Sequence, residues 1–310
     1  MFEYEKLRAC PGAFRGLTGM SATEFEALLA DFLPAQQRLR RSSAVNGEGR
    51  PRRRAPGGGA KPKLDDRHRL LLALVWLRVY PTYELLGFFF GLHKRNAQLH
   101  ARAVLAVLDT LPDFPFDRPG PDRRALSTVE EVMAAFPSVR LVIDAKEQRV
   151  NRPGASHDAQ KPYYSGKKKA HTLKSQVGVD EQTGRVVDVS DTVPGPWADI
   201  KLLKKSRLLT RLPEGVGGIG DLAYVGIADL HPEGLGAAPR KKPRGKDRPP
   251  EDARYNRAFS RCRIVVEHAI GRLRRFRSVS RVNRHRRKGH AARVRAVAGL
   301  VNRMLPTPTP

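Results

Sequence analysis

Three carboxylates in this chain occupy positions where an acid has to be explained. Asp144 closes the apolar run Leu141-Val-Ile-Asp144-Ala-Lys-Glu147, and Asp221 closes a second, Val216-Gly-Gly-Ile-Gly220-Asp221. Glu267 falls on an arginine-rich stretch that reads as a helix over 251–275. Consecutive apolar residues predict a strand buried on both faces, which ends in an acid where water or a cation meets it. In open α/β sheets, ligands collect outside the carboxyl ends of the strands. Taken alone, Asp144 reads more readily as the cap of a turn. The second strand-then-Asp unit and Glu267 shift the reading to a metal site that works on nucleic acid.

Two-metal phosphoryl transfer needs carboxylates that hold two cations about 3.5–4 Å apart. Mg²⁺ takes a few carboxylates and fills its shell with water and substrate oxygens. Parallel neighbouring strands lie roughly 4.8 Å apart, so Asp144 and Asp221 can share an ion, with Glu267 added from a helix crossing the sheet edge. Arg263, Glu267 and Arg274 are four and seven residues apart and share a helix face; on an ordinary surface this is only a weak ion pair. Asp199 is the alternative second ligand. It follows Pro194-Gly-Pro196 and opens a helix, where a carboxylate is already explained by backbone capping. Asp221 carries no such explanation and is the preferred ligand.

Charge names the partner. The 310 residues hold 58 Lys+Arg against 31 Asp+Glu, a formal +27, and so large an imbalance calls for a polyanion such as DNA or RNA. Cys10 and Cys262 are too few for a disulfide framework or a zinc cluster. The longest apolar run, Leu70 to Leu77, is too short for a bilayer, and no signal-peptide pattern opens the chain. The expectation is a cytoplasmic protein in a reducing compartment, with no membrane partner.

The elements that must position these residues follow in chain order. Residues 1–37 form a helical segment in which the capping box Ser21-Ala-Thr-Glu24 leads into Phe25, Leu28, Leu29 and Phe32, closed by Pro34. Residues 38–64 are a basic linker able to lie along phosphates. Residues 65–125 read as a helix-turn-helix domain: a helix over 65–79, a second capped by Thr82, Gly91, and a third over 93–111. Lys94, Arg95, Asn96 and Gln98 lead that third helix, where Asn and Gln can meet base edges while Lys and Arg neutralise phosphates. A plain three-helix core with a solvated basic face gives the same pattern. A proline-rich boundary with a short helix over 127–136 follows. Strands are then expected over 139–144, 170–179, 185–190, 216–220 and near 237–239, with helices over 198–211 and 251–275. These make a mixed five-stranded sheet with flanking helices, assigned to residues 138–280, before a basic tail over 281–310. Eleven Lys/Arg lie between Arg272 and Arg295, suited to non-specific phosphate contact. Lys167, Lys168 and Lys169 read as a phosphate-contacting turn or as a solvated loop. His171 and His268 read as positioning groups, since Mg²⁺ favours oxygen, and Trp197 as helix packing or a base-stacking platform.

Taken together, the blocks Asp144-Ala-Lys-Glu147, Gln160-Lys-Pro-Tyr-Tyr-Ser-Gly-Lys-Lys-Lys-Ala-His171-Thr-Leu-Lys174, Pro194-Gly-Pro-Trp-Ala-Asp199, Gly220-Asp221-Leu-Ala-Tyr224 and Tyr255 to Leu273 resemble bacterial insertion-sequence transposases of the DDE superfamily, those related to eukaryotic Harbinger elements. The resemblance covers residues 15–280. It implies a ribonuclease-H-like catalytic domain, two Mg²⁺ or Mn²⁺ ions, and the triad Asp144, Asp221 and Glu267. It also implies cleavage and strand transfer at terminal inverted repeats into target DNA, by a homo-oligomer formed on DNA. Four positions depart from the family pattern. Lys146 stands where a small Thr is usual, Ala198 where His is frequent, Leu222-Ala223 where a polar-Gly pair is common, and Ser260 where Tyr precedes Arg263. The Lys146 ammonium could compete with a metal, so a catalytically inactive, sequence-specific DNA-binding descendant is the alternative reading.

Overall fold

The computed structural model describes residues 2–42, 63–111, 141–154, 156–212, 215–245 and 247–306. Most of the basic linker and the expected boundary with its helix over 127–136 lie outside the described residues. The chain divides into two compact units: Met1–Pro112 with Arg275–Val279 and Arg295–Met304, and Asp113–Arg274 with Ser280–Val294 and Leu305–Pro310.

The first unit is helical: α1 (Tyr4–Arg8), α2 (Pro11–Thr18), α3 (Ala22–Ser42), α4 (Asp66–Val79), α5 (Tyr83–Phe90) and α6 (Lys94–Leu108). The capping box forms, with the Ser21 amide donating to Glu24 (2.5 Å) and the Glu24 amide to Ser21 Oγ (3.2 Å). Phe25, Leu28, Leu29 and Phe32 are buried. Pro34 does not close this helix, which runs on to Ser42. A mid-helix proline costs one hydrogen bond, but Ala35 and Gln36 beyond it are buried, so packing holds the continuation. Asp65 caps α4 through the His68 amide (2.7 Å) and Thr82 caps α5 through the Leu85 amide (3.2 Å). Gly91 ends α5 at φ 64°, a left-handed conformation that glycine adopts without Cβ strain.

The end of the chain adds to this core. Residues 290–303, expected within a basic tail, form α9 (His290–Arg303); α7 and α8 are defined below. From Arg295 onward α9 belongs to the first unit, where Arg295 pairs with Asp109 (2.8 and 3.0 Å) and Arg303 with Asp31 (2.7 Å). Val297, Ala298 and Val301 are buried. The density of cations masks their helical spacing in the sequence.

The second unit holds a mixed sheet of seven strands among the described residues: β1 (Leu141–Arg149), β2 (Tyr164–Ser165), β3 (Ala170–Asp180), β4 (Val186–Val189), β5 (Val193–Pro194), β6 (Gly218–Ile219) and β7 (Gly236–Ala237). Five run in the order β4-β3-β1-β6-β7, and the two-residue strands β2 and β5 also pair with β3. β3 is antiparallel to β1 and β4, whereas β6 is parallel to β1 and β7 to β6. With flanking helices, this is compatible with the ribonuclease-H-like sheet expected. Leu141 and Ile143 point to a core with Leu203, Leu209 and Tyr224, supplied by α7 (Asp199–Ser206) and the turns around β6. The long α8 (Pro250–Arg274) buries Phe259, Val266, Ala269, Ile270 and Leu273, an apolar stripe at helical spacing.

Candidate active site

Asp144 lies inside β1 rather than at its end, because β1 continues through Lys146 and Gln148 to Arg149. The continuation is polar yet paired residue for residue with β3. What ends beside Asp144 is β6. Leu141 pairs with Gly218 and Val142 with Ile219, so the register carried forward sets Asp144 level with Asp221. Glycine leaves room for the side chains packed against this end of β6: a Cβ on Gly218 would meet Leu209 Cδ2 at 2.8 Å, and one on Gly220 the Tyr224 side chain.

The Asp144 carboxyl is raised above the ordinary carboxylate range. Burial is the main cause; the Ala145 amide donates to Oδ1 (2.7 Å) and opposes it, Asp221 raises it, Arg263 lowers it and Asp199 raises it. Tyr224 is fully buried, and burial followed by the charges of Asp199, Asp144 and Asp221 pushes its phenol well above the usual value. Asp144, Asp199, Asp221, Tyr224 and Arg263 therefore form one electrostatic group.

The capping assignments reverse the sequence argument. Asp221 caps a turn over Leu222–Tyr224 by accepting from the Ala223 amide (2.9 Å). Asp199 makes no capping bond as first residue of α7, where Ala198 is the cap position. Its carboxylate is held instead by Lys174 Nζ at 2.6 Å, which also donates to the Trp197 carbonyl (2.6 Å) and lies 3.8 Å from Glu147. Thr172 Oγ1 donates to the other Glu147 oxygen (2.8 Å). Lys174 and this role for Glu147 escaped the sequence reading; the available signal was a lysine midway along a buried strand.

Glu267 is exposed on α8, one turn after Arg263. Among the described residues no set of three or more His, Cys, Asp or Glu side chains could hold a metal ion, so the structure does not assemble Asp144, Asp221 and Glu267 into one site. Asp144 and Asp221 are carboxylates, the donor type that a hard divalent cation takes together with water or substrate oxygens. Lys146 belongs to another group: it is buried, and burial with the Arg274 and Arg293 charges lowers its pKa to about 7.

The residues expected on DNA are distributed over both units. Lys94, Arg95 and Asn96 are exposed on the first turn of α6, and Gln98 is half-buried. Lys167, Lys168, Lys169 and Arg274 are exposed in the second unit, whereas Arg263 is half-buried. His268 is exposed on α8, and Trp197 is exposed with Lys205 Nζ 4.9 Å over its ring.

The chain belongs to the DDE superfamily endonucleases, matching that family over residues 143–302. It is 31% identical over 245 residues to the probable transposase for insertion sequence element IS702 of Microchaete diplosiphon, covering 79% of this chain and 82% of that protein. No solved structure matches the chain. The protein is thus an insertion-sequence DDE transposase by family, and divalent metal ions serve this superfamily generally. Among the described residues no helix is long and apolar enough to cross a membrane.

Proposed function

We propose that the protein binds the terminal inverted repeats of its element, cleaves the DNA there and joins the freed ends to target DNA, using Mg²⁺ or Mn²⁺. The observation that carries this reading is that β6 runs parallel to β1 and ends two residues before Asp221, with Asp144 and Asp221 inside one electrostatic group. Asp144 and Asp221 would hold the cation, and Glu267 would join from α8 when DNA is bound. When bound, such a cation activates the attacking oxygen and stabilises the leaving one. Arg263 offsets the negative charge around Asp144 and would receive a phosphate. Lys174 holds Asp199 within the group. The DNA ends would be read by residues 65–125 as a helix-turn-helix, with Asn96 and Gln98 on base edges and Lys94 and Arg95 on phosphates, by a homo-oligomer formed on DNA. Lys167, Lys168, Lys169 and Arg274 would add phosphate contacts.

The test is metal-dependent cleavage of end-containing DNA by Asp144→Asn, Asp199→Asn, Asp221→Asn and Glu267→Gln. The first, third and fourth should lose cleavage while retaining fold and DNA binding. Cutting by Asp221→Asn but not by Asp199→Asn would move the second ligand to the start of α7. A wild-type chain that binds the ends but never cuts them, with Mg²⁺ or Mn²⁺, would instead be a DNA-binding descendant.

A further inference from the structure

We propose that a cleft at the far end of β1 is a second anchoring site for the DNA sugar–phosphate backbone, separate from the carboxylate group. The cleft has a volume of about 520 Å³ and lies between Val150–Pro153 and the segment 283–288. Its polar lining is Asn151, Asn283, Arg284, Arg286, Arg287 and Lys288, with His285 between them, and no lining residue is acidic. Four full cations around one concavity make a site for a polyanion rather than for an apolar or cationic ligand.

The cleft is built on fixed backbone. The Asn283 amide donates to the Arg149 carbonyl (2.8 Å), which extends β1 by a bridge between Val150 and Asn283. The buried Asn283 side chain accepts from Arg293 (2.6 Å) and the His285 amide (3.2 Å), and donates to the His285 carbonyl (3.0 Å). Below it, Gln148 donates to the Arg281 carbonyl (2.7 Å) and is met by His290 Nε2 at 2.8 Å. The cations therefore project from a segment whose shape is set before any ligand arrives, which lowers the ordering cost of binding. On one side the Arg287 guanidinium lies 4.4 Å over the Tyr163 ring, joining the cleft to the turn that carries Lys167, Lys168 and Lys169.

The spacing selects the ligand. Six residues separate Asp144 from Val150 along an extended strand, about 20 Å at roughly 3.3 Å per residue. A duplex advances about 3.4 Å per base pair along its axis, so a duplex whose axis runs parallel to β1 would pass the cleft about six base pairs from the phosphate at Asp144, on whichever strand faces it there. This step rests on the endonuclease reading and adds a DNA anchor that reading does not require.

The test uses the full chain and a duplex carrying the element end, with binding followed by fluorescence anisotropy across a salt series. A variant with Arg286→Gln, Arg287→Gln and Lys288→Gln is compared with wild type, both checked for equal thermal melting. The slope of log affinity against log salt should flatten by about 0.9 for each phosphate no longer neutralised, and ethylation interference should disappear at phosphates about six base pairs from the cut, on the strand that faces the cleft. A single Arg287→Lys variant, which keeps the charge, should retain the wild-type slope. An unchanged slope and interference pattern in the triple variant, with wild type still binding and cutting, overturns the cleft and leaves the endonuclease reading intact. Competition by inorganic phosphate that the triple variant abolishes, with an unchanged DNA slope, overturns it too by showing a free-anion site. A wild type that neither binds nor cuts end DNA rejects both.

Discussion

Asp144 and Lys146 are two residues apart on one pleat face of β1, and burial pushes both toward neutrality. For Asp144 the folded carboxyl is raised above the ordinary value of 3.8, so the ionised form costs stability at neutral pH. Asp144→Asn is therefore expected to melt at a higher temperature than wild type at pH 7 while losing cleavage; a lower melting point would show that the charge is already compensated in the fold. For Lys146 the folded pKa is lowered from 10.5 to about 7. Between these values the unfolded chain holds a proton that the folded chain lacks, so stability rises with pH across that window and is insensitive to this group below it. Urea unfolding of Lys146→Met at pH 7 and pH 9 should show a smaller gain than wild type. Equal gains would mean that Lys146 stays charged in the fold. Tyr224 offers a sharper separation of roles. Its buried hydroxyl has no hydrogen-bond partner among the described residues, and such a group costs about 1–3 kcal/mol. Tyr224→Phe should be neutral or up to about 1 kcal/mol more stable, and a loss of cleavage without loss of stability would assign the hydroxyl to the reaction.

At the scale of elements, the site depends on how closely β6 and the turn after it can approach β1. A methyl group on Gly220 runs into the Tyr224 side chain, and overpacking of this kind typically costs about 1–3 kcal/mol. Gly220→Ala should lower stability by that order, and cleavage by more than stability alone explains, since it moves the turn that holds Asp221. Full cleavage in this variant would mean that the turn can shift without consequence. The exposed first turn of α6 makes a different prediction. If Asn96 reads a base edge, Asn96→Ala should lose about 1–3 kcal/mol of discrimination at one base pair, with affinity for random DNA unchanged. Equal loss on both DNAs would reduce Asn96 to a backbone contact.

Over the whole molecule, a formal charge of +27 predicts binding dominated by counterion release. With about 6–10 phosphates neutralised, affinity for random duplex should fall about 10³–10⁵-fold between 50 and 200 mM salt. A flat response, measured by filter binding, would mean that the cations do not meet phosphate. The same charge obscured part of the fold. Arginines between apolar positions made 290–303 read as tail, yet Val297, Ala298 and Val301 are buried at helical spacing and belong to the first unit.

Local chemistry was legible in the sequence wherever one short stretch contains both halves of an interaction. Ser21 and Glu24 form their capping box, Thr82 its cap and Gly91 its left-handed turn. The run Leu141–Ile143 before Asp144 is a buried strand because continuous apolar residues have no other place to go, whereas the glycine-rich run before Asp221 forms only the two-residue β6. What only the tertiary structure decided depends on partners distant in sequence. β1 could not be read past Asp144 because its next polar residues are satisfied from far away, Gln148 by His290, 142 positions on, and Glu147 by Thr172. Asp199 looked like a helix cap until Lys174 from β3 reached it, and Asp221 proved to be the cap. A sequence shows which residues can accept a bond or bury a face; which donor arrives is settled by packing, because only the folded chain brings residues on the order of a hundred positions apart within hydrogen-bonding distance, about 3 Å.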